Sequence, residues 1–270
     1  LNFQPGLDTE NTPTGAEGKW VDGDKIRFRK GLPQKIGGWT KFSEAYYVGV
    51  GRSIEQWFSL DGGRYEALGT DRKVYVYASG TSQDITPIRS TDALVNAFTT
   101  ITSSNILTIS DTAHGAGVGD FVTLSSVTPN PIAGIPSSTL NAEYEILSIS
   151  NVDAYTIQSS ATANANAGPT GNCSAVYQLN VGPDLQTFGY GWNSGAWSAG
   201  TWNTPRSTSN VILDARLWSI NNWGEDLIIT QKDGGTYEWD TSGGMTDNRA
   251  TVIANAPTTS TLSLVSTETR

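Results

Sequence analysis

Residues 54–77 decide the fold: Ile54-Glu55-Gln56-Trp57-Phe58-Ser59-Leu60-Asp61-Gly62-Gly63-Arg64-Tyr65-Glu66-Ala67-Leu68-Gly69-Thr70-Asp71-Arg72-Lys73-Val74-Tyr75-Val76-Tyr77. Two turn signals cut this run into three strand-like pieces. Asp61-Gly62-Gly63 is hairpin chemistry, because glycine supplies the positive φ that tight turns need. Asp71-Arg72-Lys73 makes the second turn, and Ser79-Gly80 closes the third piece. Upstream, Tyr46-Tyr47-Val48-Gly49-Val50 adds another strand-like run.

The same order recurs near the end of the chain. Leu217-Trp218-Ser219-Ile220 precedes a turn at Asn221, Asn222 and Gly224. Asp226-Leu227-Ile228-Ile229-Thr230 leads through Lys232-Asp233-Gly234-Gly235 to Thr236-Tyr237-Glu238-Trp239. Trp57 lies 13 residues before Thr70, and Trp218 lies 12 before Thr230. The pair Tyr75/Tyr77 answers to Tyr237/Trp239. One supersecondary unit used twice is the signature of a propeller or array. Two copies do not close a propeller, so further blades are expected beyond Arg270, and the chain, starting at Leu1, reads as part of something longer.

Composition agrees. With 29 Gly, 9 Trp and 10 Tyr but only 16% charged residues, strands and turns are favoured over long helices. The single Cys173 forbids an internal disulfide, and the lone His114 argues against a His-based metal site. No cofactor is expected. No apolar run approaches the roughly 18 residues of a membrane helix. A net charge of −9 argues against a general nucleic-acid binder.

The stretch Gly15–Phe42 stands apart. Asp24-Lys25-Ile26-Arg27-Phe28-Arg29 alternates, with Ile26 and Phe28 on one side and Lys25, Arg27 and Arg29 on the other. Lys30-Gly31-Leu32-Pro33 breaks the strand, and Gly37-Gly38-Trp39 makes a further turn. No acidic residue occurs between Lys25 and Ser43. Lys25, Arg27, Arg29, Lys30 and Lys35 are therefore the candidate partner interface, with Lys41 beyond them. Residues 1–19, with Pro5-Gly6 and Pro13, read as an extended arm.

Phe3-Gln4-Pro5-Gly6, followed by Trp-x-Asp-Gly-Asp-Lys-x-Arg-Phe-Arg-x-Gly-Leu-Pro-x-Lys-x-Gly-Gly-Trp from Trp20 to Trp39, resembles the N-terminus of virion proteins of short-tailed bacteriophages, including tail nozzle or tail-tube-tip proteins. The resemblance covers about forty residues, with weaker echoes near residues 189–245. It implies a non-enzymatic structural part of a phage tail, usually built on a β-propeller. It also implies a homo-oligomeric ring, adaptor or portal-side and fibre partners, and transient passage of DNA.

Between the two copies the composition changes. No Lys or Arg lies between Arg89 and Arg206, and no Trp between Trp57 and Trp192. Residues 96–182 read as an inserted small β-sandwich or barrel. The expected division is 1–44 arm and strand-turn region, 45–95 first blade, 96–182 insert, and 183–270 ribbon and second blade. Within the insert, His114-Gly115-Ala116-Gly117-Val118-Gly119-Asp120-Phe121-Val122 resembles a motif of small β domains that decorate phage tails. Ala161–Gly171 is low in complexity and reads as a mobile loop.

Trp192, Trp197 and Trp202 recur every five residues among glycines, a spacing that neither helix nor strand keeps on one face. They are candidates for packing or for stacking on sugar rings. Glu143 and Glu145 share a strand face at i and i+2, as a carboxylate pair for glycoside hydrolysis would. Without a cleft, a solvated face is the simpler reading. Asp111, His114 and Asp120 lack calcium-loop spacing, and Cys173, in a Gly-Asn-Cys-Ser loop, has no nearby base. The resulting expectation is an all-β chain with partial propeller-like blades and an inserted domain, non-enzymatic, in a phage tail. The alternatives are a carbohydrate-binding tail module and a glycosidase or depolymerase.

Overall fold

The structure, a computed structural model, describes residues 4–38, 41, 46–60, 62–188, 212–245 and 248–266. It is all-β. Its contacts divide into two units, Leu1–Glu44 and Ala45–Arg270.

The first unit is built on a hairpin. Strand β1 (Ile26–Arg29) pairs antiparallel with β2 (Leu32–Lys35) through the two-residue turn Lys30-Gly31. Both turn residues have positive φ, 50° and 82°, the twist that suits tight hairpins. The expected break at Lys30-Gly31-Leu32-Pro33 is therefore a turn into a second strand. Pro33 is tolerated because it sits opposite Phe28, between the hydrogen-bonded pairs, where its missing N–H would face away from the hairpin. Trp20 packs on Phe28 with ring centroids 6.4 Å apart. The arm is not extended. It loops back, with Gln4 N donating to Gly18 O at 3.2 Å and Asp8 N to Trp20 O at 2.8 Å. A turn at Thr12 and the 2.6 Å ion pair of Asp8 with Lys19 hold that loop closed.

The second unit opens with an antiparallel meander of β3 (Gly51–Phe58), β4 (Arg64–Thr70), β5 (Val74–Ala78) and β6 (Thr81–Asp84). Alternation gives the sheet two unlike faces. Trp57, Tyr65, Ala67, Gly69, Val74 and Val76 share one; Ile54, Phe58, Leu68, Tyr75 and Tyr77 share the other.

The chain then enters an eight-stranded sheet: β7 (Ile88–Leu94), β8 (Phe98–Thr100), β9 (Ile106–Ser110), β10 (Phe121–Thr128), β11 (Glu143–Asn151), β12 (Ala154–Gln158), β13 (Ala167–Thr170) and β14 (Asn172–Gln178). A single helical turn, α1 (Ser137–Leu140), precedes β11. The order is β13-β8-β9-β12-β11-β10-β14-β7. The ladder of β7 on β14 runs on, through Ala97 N to Gly171 O at 2.7 Å, into that of β8 on β13. The two ends of the sheet are thus the same ribbon, and the sheet closes into a small barrel without open edges. Phe98, Leu107, Leu124, Ile146, Tyr155 and Tyr177 fill it.

Two expectations change here. The barrel takes its first strand from residues 88–94, upstream of the boundary expected at residue 96. Arg89 lies on that strand, so a boundary drawn on missing basic residues cut it off. Ala161–Gly171 contains strand β13 and the buried Ala163, not a mobile loop.

After β15 (Thr187–Phe188) and its partner β16 (Ile212–Leu213), the chain forms a second meander. It comprises β17 (Trp218–Trp223), β18 (Asp226–Gln231), β19 (Thr236–Trp239) and β20 (Thr251–Val252). The two meanders stack like propeller blades around one core. Trp218, Leu227, Ile229, Tyr237 and Trp239 of the second meet Ala67, Val74 and Val76 of the first. Trp57 and Tyr65 of the first also pack on Trp239 of the second, with ring centroids 6.4 and 6.1 Å apart. Tyr75/Tyr77 and Tyr237/Trp239 occupy the same third strand and the same side of their own sheets, as a repeat by rotation requires.

The two tryptophans sit on matching first strands but at opposite ends. Trp57 is the penultimate residue of β3, and Trp218 is the first of β17. The near-equal spacing to threonine is a coincidence of loop length: five residues join β3 to β4, and two join β17 to β18. Each indole donates to the other sheet's backbone, Trp57 Nε1 to Glu225 O at 3.0 Å and Trp218 Nε1 to Thr70 O at 2.7 Å. Gly69 makes room for this. A Cβ there would lie 2.8 Å from Trp218 Cδ1.

Candidate functional site

The basic hairpin is exposed along its charged side. Arg27 and Arg29 project from the face opposite Ile26 and Phe28, as period two requires. Arg27 Nε donates to Gln34 Oε1 across the strands at 3.2 Å. Lys30 occupies the turn, and Lys25 precedes the strand with φ 56°. Lys35 does not join this face. The two-residue turn pairs it with Ile26, so it lies on the opposite side. Leu32 shares the arginine face and is 71% exposed; Ile36 beyond the strand is 52% exposed. The charged surface is therefore interleaved with apolar groups. Trp192, Trp197 and Trp202, like Trp39 and Asp61, lie outside the described residues.

Glu143 and Glu145 lie on the exposed face of β11, as alternation requires, yet neither carboxylate is left to solvent alone. Both are ion-paired to the first meander. Arg72 meets Glu145 at 2.7 Å. Lys73 reaches both Glu143 Oε1 and, at 2.9 Å, Asp84 Oδ2. Arg249, just before β20, closes the set with Asp84 at 3.0 Å and Glu143 at 3.8 Å. Lys73 Nζ also lies 4.2 Å from the Phe121 ring centroid. Burial disfavours the charged form of Asp84, but Arg249, Lys73 and a hydrogen bond from Thr86 outweigh it and hold its pKa below the ordinary value. This junction couples barrel, first meander and the segment leading to β20. Sequence reasoning missed it. The available signal was a lysine set directly before the buried run Val74–Ala78.

The remaining candidates are structural. His114 Nδ1 accepts from Ala116 N at 3.0 Å, Nε2 faces Asn151 O at 3.3 Å, and the ring packs edge-on to Tyr155. Asp120 accepts from Gly117 N and Val181 N, both at 2.7 Å. Asp111 accepts from the Tyr177 hydroxyl at 2.5 Å. Cys173 lies on strand β14, not in a loop, and burial, with Asp111 nearby, pushes its thiol up to about 11. No group of three or more His, Cys, Asp or Glu among the described residues is arranged to hold a metal.

A groove of about 870 Å³ opens beside the β17–β18 turn, lined among others by Phe58, Leu60, Glu225, Asp226, Glu238 and Asp240. Three of its carboxylates bind backbone amides. Glu225 accepts from Leu60 N, Asp226 from Thr241 N and Asp240 from Ser242 N. They hold turns in place. No helix among the described residues is long and apolar enough to cross a membrane.

No protein-family model matches the chain, and no curated protein does. Among solved structures it is similar to one described as "Phage phi92 endosialidase", at 12% identity and a TM-score of 0.28. That alignment covers 82% of this chain and 32% of the other, so the chain spans about a third of that structure's length. At that level of superposition the likeness carries no weight for fold or activity.

Proposed function

We propose that this chain is a structural component of a bacteriophage tail, of nozzle or tail-tip kind. It assembles with copies of itself and with a portal-side adaptor, and forms part of the path by which DNA leaves. The observation that supports this reading is the fold of the motif on which the resemblance rests. Its residues from Ile26 to Lys35 form an exposed hairpin that turns charge and apolar surface outward. That is how an assembly element is built, whereas a catalytic site gathers its polar groups inward. The stacked meanders supply a stiff body, and a net charge of −9 keeps a polyanion from adhering as it slides past. In this reading the barrel of residues 88–178 is a separately folding insert, and the role is non-enzymatic.

The test is direct. Antibody raised against the purified chain, carried on gold, should label intact particles of the source phage at the tail. Label on the capsid, or none on particles whose proteins include the chain by mass spectrometry, would overturn the reading. The carbohydrate-binding alternative draws on Trp192, Trp197 and Trp202, and no described residue favours it.

A further inference from the structure

We propose that the Arg27/Arg29 face of the hairpin docks on a carboxylate-rich surface of a second copy of this chain, so that copies join head to tail. This rests on the reading as a self-assembling tail part, and it names the contact.

Four observations carry it. First, the charge is divided unequally. Residues 1–44 hold seven Lys and Arg against six Asp and Glu, with all but one of the cations packed into residues 25–41, where no acid occurs. Residues 45–270 hold ten cations against twenty acids. A second copy therefore brings the complementary charge.

Second, the face itself is open. Arg27 and Arg29 are exposed, and Leu32 beside them is 71% exposed. Cations interleaved with apolar side chains suit a protein surface, where carboxylates and apolar patches alternate. A phosphate backbone would leave Leu32 in water, and the chain's net charge of −9 opposes a polyanion.

Third, backbone pairing along β2 is obstructed. Pro33 stands where an outward N–H would begin a new ladder. Recognition at this strand falls to side chains, and the arginine fork pairs a carboxylate in two bonds at once.

Fourth, the arrangement is directional. A basic surface meeting an acidic one is a heterologous contact, and such contacts close into rings when the rotation permits.

The test uses the full chain in sedimentation velocity. The wild type should self-associate in about 0.05 M NaCl and dissociate progressively toward about 0.5 M, since exposed charges are screened within a Debye length. Arg27→Glu with Arg29→Glu should weaken association by roughly tenfold or more, with unchanged circular dichroism. Arg27→Lys with Arg29→Lys should weaken it less, because charge remains while the fork is lost. Association that survives the double reversal would overturn the inference, as would a wild type that stays monomeric at low salt. Salt-sensitive binding of labelled duplex DNA that the reversal abolishes would reassign the face to nucleic acid and also overturn it. None of these failures touches the particle-labelling result, so the two readings fail separately.

Discussion

Replacing Lys73 with Met tests the ionic junction most sharply. Met keeps an unbranched apolar side chain and removes the ammonium, including its contact with the Phe121 ring. Lys73 is 4% exposed, and its side chain sits between Asp84 and Glu143. After the change, Arg249, at 3.0 and 3.8 Å, is the cation left to the two carboxylates among the described residues, beside the neutral donors Gln178 Nε2 and Thr86 N. Removing one partner of a fully buried pair costs about 3–5 kcal/mol. The side chains of Asp84 and Glu143 retain 18% and 33% exposure, which brings the expectation down to about 2–3 kcal/mol. The pH dependence has a definite sign. Asp84 is depressed below its ordinary 3.8 in the folded state, so its stabilisation is complete above that value and is lost as pH falls through the folded value. The cost of Lys73→Met should therefore be full at neutral pH and shrink below about pH 3.8. Urea unfolding followed by tryptophan emission is the assay, because no Trp lies between Trp57 and Trp192 and the barrel is silent. A cost under about 0.5 kcal/mol at neutral pH, typical of an exposed pair, would refute the reasoning, and so would a cost that does not change in acid.

Gly69→Ala should destabilise the stacked meanders by about 1–3 kcal/mol, because the new Cβ meets Trp218 while Thr70 O holds that indole; an unchanged urea midpoint would sink the packing argument. Excising residues 88–178 and joining Pro87 to Leu179 should leave native tryptophan emission, since Leu179 N already donates to Pro87 O at 3.0 Å. Emission of unfolded tryptophan from that variant would show that the meanders depend on the barrel. Cys173, with its thiol raised to about 11, should react with a chromogenic disulfide reagent at mildly alkaline pH only as fast as the barrel opens; immediate stoichiometric reaction of the folded chain would contradict the burial.

Much of this architecture was readable in advance, because strand alternation is a local property. Val74–Ala78, Asp226–Gln231 and Thr236–Trp239 announce themselves, and so do the turns at Ser79-Gly80 and Gly234-Gly235. Register and depth are less local. Trp57 and Trp218 looked equivalent because a longer loop in one hairpin compensated a longer reach of strand in the other. Lys35 looked like part of the arginine face until the Lys30-Gly31 turn fixed its partner as Ile26. Strand β7 was lost because its Arg89 resembles the first meander in composition, while its hydrogen bonds belong to β14, some eighty residues on. The junction at Lys73 joins residues from four separate stretches, and no short-range pattern reports such a meeting. The sequence placed Arg27 and Arg29 on one face, but their being exposed beside Leu32 is a tertiary fact.

The crossed indoles bear on how the body carries load. Strands β3 and β17 run the same way, since Ser53 lies by Trp218 and Trp57 by Glu225. A force along the strands would try to slide one sheet past the other. Because the two N–H donors are anchored in opposite sheets and at opposite ends, sliding one sheet past the other disturbs a hydrogen bond at each end of the contact. The two sheets are thus tied at both ends by hydrogen bonds, in addition to the apolar contact between them.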